Sequence, residues 1–493
     1  MIASPFRNRA TTLFGRTFSN RLVPCYRKLS TAASGLPRQV AVVGAKSLVR
    51  SGVKNGAKPP STTEMIEENL RGALQQAQLS MLDLDGIVAV PSLQGGFMEA
   101  HYQATAMGLF DKRKRPLRCR TLDTGGAGPI SALLEAERMI QSEGLECVAV
   151  IAADIVGSMD SDEFLERADK IFFKLGDQLG HSKEHVKSPA IPHGYDRITQ
   201  HQMQKYDLKR EQLQMAVALE SFHAALHPNS LQSQKATSQT RQQSTHNDVD
   251  FSKLQFHSTF TSLEQVQESP AITPNISLLE CARRADGCGV LILASSRFLQ
   301  RRHLWSPGIP VVVGGGAFSG PLYPPQDPAD ITDYMYASCQ QAMTRAYASA
   351  GNLTASDIHF FGLYDCFPIC LVRAIEACGL AMPGEGGEYL QNQHQRLVQA
   401  IETDGSNSKD VVSGKAVNSV LADSDFFPIN THGGLLCFGA PWEVPAMFNV
   451  VEAVDQLLGR AKGRQIQDCR RALVFGNGGV LSASAVAILS TST

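Results

Sequence analysis

Apolar positions along this chain fall into short continuous runs and into stripes spaced three and four residues apart. Residues 40–43 (VAVV), ending at Gly44, form a run suited to a buried strand, and residues 310–313 (PVVV), ending at Gly314, repeat it. Each run precedes a helical stripe. Ile66, Leu70, Ala73, Leu74 and Ala77 share one face in the first case, and Met335, Cys339, Ala342, Met343 and Ala346 share one at the same intervals in the second. Both stripes then turn into a strand through similar residues, Leu79-Ser80 to Asp83-Leu84 and Leu353-Thr354 to Asp357-Ile358. In each half a Gly-rich loop leads into a helix, predicted over 129–140 and about 443–458, and the helix feeds an apolar strand at 147–152 and 472–475. Alternating strands and helices predict parallel sheets covered by helices, because a parallel crossover needs a helix-length connection. The pattern is that of an internal duplication: an α/β protein of two similar βαβ-rich halves, 38–300 and 301–493.

Residues 158–270 break the alternation and read as an inserted loop domain, with amphipathic helical stretches such as 211–225. The polar tract from Asn229 to about Asp248 has too little apolar surface to order itself and predicts a disordered excursion. At the other extreme, residues 1–37 hold Arg7, Arg9, Arg16, Arg21, Arg27 and Lys28 among Ser, Thr, Leu and Phe, and the first acidic residue of the chain is Glu64. That composition predicts a mitochondrial presequence, a transit peptide for the matrix, cleaved near Ser30 to Ser34; a basic tail without targeting is the alternative.

Composition narrows the classes of function. A net charge of -1 over 493 residues supplies no global field for nucleic acid, and no apolar run approaches the roughly 20 residues of a membrane span. The 11 cysteines are scattered without CxxC or His/Cys ligand spacing, so neither a disulfide framework nor a metal site is expected.

The motifs VAVVGA, TLDTGGAGPISALLEA, VAVIAADIVGS, ARRADGCGVLILAS, GLYDCFPI, NTHGGLLCFGAP and LVFGNGG occur in an order that resembles the thiolase superfamily over nearly all of residues 38–493. The chain is most similar to the sterol-carrier-protein type, and the tetrad Tyr364-Asp365-Cys366-Phe367 resembles the fingerprint of the mitochondrial thiolase-like proteins of trypanosomatids. The resemblance implies the thiolase fold, two similar halves in a five-layered α-β-α-β-α core with a loop domain over the active site, and a homodimer acting on a coenzyme A thioester. No bound cofactor is implied.

It also implies roles for named residues. A thiolase needs a thiol to carry the acyl group, an acid/base for the α-proton, and donors to two oxyanions. Aligned on the nucleophile motif, the thiol's position falls on Gly126, which keeps only a backbone N–H for an oxyanion hole; the glycines Gly125, Gly126 and Gly128 also suit a tight turn of positive φ. Cys119, in the preceding strand, is a poor substitute. In the tetrad, Cys366 is the implied acid/base and Tyr364 a hydroxyl donor, with Asp365 and Phe367 supporting the loop; a buried apolar cysteine and a packing tyrosine are the alternatives. Gly439-Ala440-Pro441 stands where the family has Gly-His-Pro, leaving His432 as a partial replacement or a structural histidine. Asn477 and Gly478, in a fourth Gly-rich loop, offer further backbone donors. The basic run Lys112, Arg113, Lys114, Arg115, Arg118 and Arg120 reads as a solvated edge or dimer rim ahead of a phosphate contact.

With no nucleophile, thiolysis through an acyl-enzyme is expected to be poor. Enolate chemistry on short 3-oxoacyl or malonyl thioesters, including slow malonyl-CoA decarboxylation, is the expected activity, within mitochondrial lipid metabolism. A catalytically inactive acyl-CoA-binding pseudoenzyme or sensor is the competing expectation.

Overall fold

The computed structural model describes residues 39–53, 57–111, 113, 115–176, 188–234, 260–322, 333–403, 420 and 426–492. The predicted presequence, Lys112 and Lys114 lie outside them, as do residues 235–248 of the polar tract. The rest of that tract is ordered, for Ser230 and Leu231 are buried and the Ser230 hydroxyl donates to the Ala224 carbonyl at 2.5 Å.

The strands are β1 (Val40–Arg50), β2 (Gly86–Ala89), β3 (Arg118–Thr121), β4 (Cys147–Ile155), β5 (Ala271–Thr273), β6 (Ile276–Ser277), β7 (Asp286–Ser295), β8 (Pro310–Ser319), β9 (Phe360–Gly362), β10 (Arg471–Gly478) and β11 (Ala483–Thr491). Nine of them align in the order β3-β2-β4-β7-β1-β8-β11-β10-β9, and β5 and β6 pair separately. The two half-sheets join at β1 and β8 through one ladder pair, Ala41 opposite Val311. On either side of that junction the order mirrors itself, with β1, β7, β4 and β2 matched by β8, β11, β10 and β9. The counterpart of β3 is reduced to a bridge between Phe361 and Ile429, where Phe361 N–H donates to the Pro428 carbonyl and Asn430 N–H to that of Phe361, both at 2.9 Å.

The sheets are mixed, which corrects the expectation of parallel ones. β2 runs parallel to β3 and β4, and β9 to β10, but β7 is antiparallel to β4 and β1, and β11 to β10 and β8. The connection explains this in the second half: β10 and β11 are joined by the short turn around Gly479 (φ 62), which admits only antiparallel neighbours.

Both glycines expected to end strands lie inside them. A Cβ at Gly44 in β1 would strike the carbonyl of Ala73, and one at Gly314 in β8 the Ala350 side chain and the carbonyl of Ala346. Absent side chains thus let the Thr62–Gln76 and Asp333–Ser349 helices settle onto their strands, at matching places in the two halves. The repeat extends to single hydrogen bonds. Ser80 and Thr354 each cap a short 3₁₀ turn, their backbone N–H bonding Asp83 at 2.8 Å and Asp357 at 2.9 Å.

The Gly128–Ser142 helix packs on β2 and β4 of its own half and on β10 and β11 of the other, and the Pro445–Leu457 helix packs on β9, β10, β1 and β7. These two helices form the layer between the half-sheets. In the inserted region the Arg210–Leu226 helix is buried at every position from Leu213 to Leu226, so the amphipathic stretch expected there is enclosed on all sides. It sits against the Gly386–Thr403 and Pro368–Cys378 helices, and its polar groups are bonded inside, as where Ser221 accepts from Thr261 N–H at 2.6 Å.

Candidate active site

The tetrad follows β9 directly, and local hydrogen bonds fix its course. Asn430, at φ 46, grips Leu363 on both sides: its Oδ1 accepts from Leu363 N–H at 2.8 Å and its Nδ2 donates to the Leu363 carbonyl at 2.7 Å. The helix Pro368–Cys378 begins one residue after the tetrad, with proline in its first turn where a missing N–H costs nothing. Tyr364, Asp365, Cys366 and Phe367 are thereby held at the carboxyl end of a strand, where open α/β sheets present ligands.

Asp365 is wholly buried. Its carboxylate accepts from Leu435 N–H at 2.9 Å and Leu436 N–H at 3.1 Å, at the start of the short Gly434–Phe438 π-helix, while burial pushes its pKa up to about 7. It braces the Gly-rich segment against the tetrad.

Tyr364 turns toward Gly126. A Cβ built on Gly126 would fall on the Tyr364 hydroxyl and 2.5 Å from the Asn477 carbonyl oxygen, inside the 3.0 Å that real Cβ atoms keep. The phenol fills the space a side chain at 126 would need. Of the turn glycines, only Gly125 has a positive φ (61); Gly128 is required for space, since its Cβ would lie 2.8 Å from Val90. Burial first, then the Cys366 and Glu443 charges, hold the Tyr364 hydroxyl well above its ordinary pKa, so it is a neutral donor.

Cys366 is half-buried, with its Sγ 3.5 Å from that of the buried Cys370. Tyr195, from the Ala190–Tyr206 helix of the inserted region, closes over this pair. Its hydroxyl donates to the Gly479 carbonyl at 2.6 Å and accepts from Asn477 Nδ2 at 2.8 Å, and its ring lies 4.7 Å from that of Phe367. One side chain therefore ties the insertion to both the tetrad and the end of β10.

Residues 326–406 and 412–491 match the family model described as thiolase C-terminal domain-like. The acetyl-CoA acetyltransferase of Methanothermobacter thermautotrophicus is 25% identical over 437 residues, covering 87% of this chain and 94% of that protein. Human (Homo sapiens) sterol carrier protein 2 is also 25% identical, over 440 residues, covering 87% of this chain and 68% of that protein. Among solved structures, the Ltp2-ChsH2(DUF35) aldolase superposes with a TM-score of 0.63 at 20% identity, covering 92% of this chain and 98% of that one. Residues 326–491 thus carry a thiolase C-terminal-like unit, and the chain over most of its length is similar to thiolase-type proteins.

The other expected site residues of this thiolase-like chain are distributed as follows. Asn477 and Gly478 are not in a loop: they are the last residues of β10, opposite Ser484 and Ala483 of β11, because the antiparallel return extends the strand to the turn. The Asn477 Oδ1 is buried without a hydrogen-bond partner. Gly439, at φ 134, is required for space, its Cβ falling 2.7 Å from Val49. His432 belongs to a different cluster. Its ring stacks edge-on to Phe438 at 5.1 Å, and burial pushes its pKa down to about 4 against the pull of the buried Glu452, which is ion-paired with Arg464 at 2.9 Å. Its Nδ1 is buried without a hydrogen-bond partner.

Three of the basic residues before β4 are tied to the protein itself. Arg113 donates to the Leu84 and Met81 carbonyls, while Arg118 and Arg120 pair with Glu143 and Glu135 along the β3 edge. Cys119, in β3, is pushed up to about 11 by burial, so it offers no ready thiolate. Among the described residues no cluster of metal-ligating side chains occurs, and no helix is long and apolar enough to cross a membrane.

Sequence reasoning missed Tyr195 and Glu443. Tyr195 gave no signal, since it is one polar-tipped aromatic on a helix of an insertion. Glu443 did give one: it is the single charged residue within the stretch 435–451.

Proposed function

We propose that this protein is a thiolase-like enzyme of acyl-CoA thioesters that works by enolate stabilisation and forms no acyl-enzyme. The observation that carries the reading is the Tyr364 hydroxyl, which occupies the space of a side chain at Gly126. That arrangement exchanges the superfamily's nucleophile for a neutral hydrogen-bond donor. A donor there stabilises the thioester oxygen as negative charge builds on it, and a single such donor is worth about 10²–10³ in rate. Cys366, half-exposed beside it, supplies the proton to the carbon of the enolate, its thiolate recovering a proton from solvent. For a malonyl thioester the sequence is loss of carbon dioxide to the enolate, then protonation at carbon to the acetyl thioester.

Short 3-oxoacyl and malonyl thioesters are the proposed substrates, in the mitochondrial matrix, with the basic acid-free segment 1–37 as the transit peptide. We further place the chain beside the trypanosomatid thiolase-like proteins on its Tyr364–Phe367 fingerprint, and propose a homodimer joined along the exposed β3 edge. The test is incubation of the full chain with malonyl-, acetoacetyl-, acetyl- and 3-hydroxyacyl-CoA, with products read by mass spectrometry; the hydroxy compound is included because a neighbour of this fold is named an aldolase. Acetyl-CoA from the malonyl thioester, reduced about 10²–10⁴-fold in Cys366→Ala, supports the reading. Thiolysis of acetoacetyl-CoA at an ordinary thiolase rate overturns it.

One observation favours the second reading, a binder or sensor. Ala440 removes the family histidine, and His432 lies in the cluster of Glu452 and Arg464. Tight binding of the thioesters with no product from any of them would establish that reading.

A further inference from the structure

Cys366 and Cys370 stand four residues apart at the start of the Pro368–Cys378 helix, and their sulfurs are in contact, with the Sγ atoms 3.5 Å apart. Three other described cysteines turn to the backbone instead: the thiols of Cys281, Cys378 and Cys437 donate to the carbonyls of Ser277, Ile375 and Val217. The backbone carrying the pair is held at both ends. The Cys366 carbonyl accepts from Ala282 N–H at 3.0 Å, and Cys370 N–H donates to the Phe367 carbonyl at 2.9 Å. Between them Phe367 packs on Tyr195, whose hydroxyl is tied to Gly479 and Asn477. The fold itself therefore sets the two sulfurs side by side.

The thiols differ in what can reach them. Cys366 is half-buried and Cys370 is buried. Burial first, and then the neighbouring Cys366 thiol, push the Cys370 thiol well above its ordinary pKa, so it stays protonated. A reagent from solvent meets Cys366, which is already in contact with a second thiol. An accessible cysteine beside a resolving one is the arrangement found where oxidation is reversible. Sulfurs 3.5 Å apart must close by about 1.5 Å to reach the roughly 2.05 Å of a disulfide. A partial turn about χ1 of the half-buried Cys366 is a movement of that size.

We propose that Cys366 and Cys370 form a reversible disulfide on exposure to a hydroperoxide, with Cys366 the thiol oxidised and Cys370 the thiol that resolves it. The inference goes beyond the enolate reading and does not need it. In the first step the Cys366 thiolate attacks one oxygen of the peroxide and the O–O bond breaks. The sulfur becomes a sulfenic acid, and the hydroxide that leaves takes up the proton the thiol had released. In the second step the Cys370 sulfur attacks the Cys366 sulfur, the S–O bond breaks, and the hydroxyl leaves with the Cys370 proton as water. Two thiols and one hydrogen peroxide give one disulfide and two waters, the sulfurs losing the two electrons that the peroxide gains. A dithiol reverses the change through a mixed disulfide and returns both thiols. Bonded to Cys370, Cys366 has no proton to give, and it is kept from the irreversible sulfinic and sulfonic acids.

The test exposes the full chain to hydrogen peroxide, alkylates it with iodoacetamide under denaturing conditions, digests it with trypsin and reads the peptides by mass spectrometry. Trypsin leaves residues 346–373 as one peptide that holds Cys366 and Cys370 and no other cysteine. This peptide is expected to appear unalkylated and two hydrogens lighter than its dithiol form, and dithiothreitol before alkylation should return it to the doubly alkylated form. In Cys370→Ala, Cys366 lacks its resolving thiol and should advance to the sulfinic or sulfonic acid, which dithiothreitol does not restore. Cys281→Ala should form the disulfide as the wild type does. If Cys370→Ala does not fold, the wild-type peptide decides by itself. A peptide that stays doubly alkylated, or that carries an oxygenated Cys366 beside an alkylated Cys370, overturns the proposal. So does its linkage to residues 254–283, the peptide of Cys281. None of these readouts needs turnover: the disulfide found in a chain that yields no product from malonyl-CoA leaves the redox pair standing and defeats the enolate reading alone.

Discussion

At Gly126 one methyl group decides whether Tyr364 keeps its place, because the Cβ would meet both the phenol and the Asn477 carbonyl. Gly126→Ala is expected to cost about 1–3 kcal/mol of stability by urea unfolding, as overpacking does. In Gly126→Ala/Tyr364→Ala part of that loss should be recovered, with a coupling on the order of 0.5–3 kcal/mol, since only the backbone contact is left. Gly126→Cys should for the same reason gain no thiolysis of acetoacetyl-CoA, which a thiol-ester assay would read. Asp154 makes a prediction of opposite character. Burial lifts its pKa from 3.8 to about 7, so its stabilising contribution is full below pH 3.8 and is lost as pH rises to about 7. Stability measured across that window should fall less steeply in Asp154→Asn than in the wild type. The tetrad was legible in the sequence through its resemblance to a family fingerprint. What Tyr364 touches was not, because Gly126 lies 238 positions earlier in a different half.

Strand and helix were read correctly wherever a run or stripe was strong, and the errors cluster where a neighbour intervenes. Residues 44 and 314 looked like strand ends because glycine usually punctuates, yet the helix laid across each strand is what excludes a side chain there. If the two halves use the same device, Gly44→Ala and Gly314→Ala should each lose stability by about 1–3 kcal/mol, read by urea unfolding, since both place a Cβ against a helix carbonyl. A loss in one half alone would show that the duplication is not kept at this contact. The end of β10 was misread for a related reason. Asn477 and Gly478 look like loop residues alone, but eight of their strand's residues pair across with β11. The direction of β7 and β11 was likewise invisible, since apolar runs of parallel and antiparallel strands are alike once both faces are covered.

Across the whole molecule, the inserted region and the second half are joined by a buried charge cluster. Glu452 of the Pro445–Leu457 helix pairs with Arg464, accepts from Thr431 at 2.7 Å, and lies 4.0 Å from His227 at the end of the Arg210–Leu226 helix. Arg464→Met leaves a buried carboxylate without its partner and is expected to cost about 3–5 kcal/mol by urea unfolding. His432, in the same cluster, is neutral in the fold, its pKa lowered from 6.5 to about 4 chiefly by burial. A depressed pKa contributes stability that is present above pH 6.5 and lost as pH falls toward 4, so acid unfolding followed by tryptophan fluorescence should begin at lower pH in His432→Phe. The sequence by itself determined the duplication and the places of its main strands and helices, because periodicity and turn chemistry act over a few residues. Only the tertiary structure decided that Tyr364 lies on Gly126, that Tyr195 bonds Asn477 and Gly479 beside it, and that His432 shares a buried cluster with Glu452. Most of those contacts join segments more than 200 residues apart, and a side chain's partner across such a distance is set by how layers pack, which no local pattern encodes.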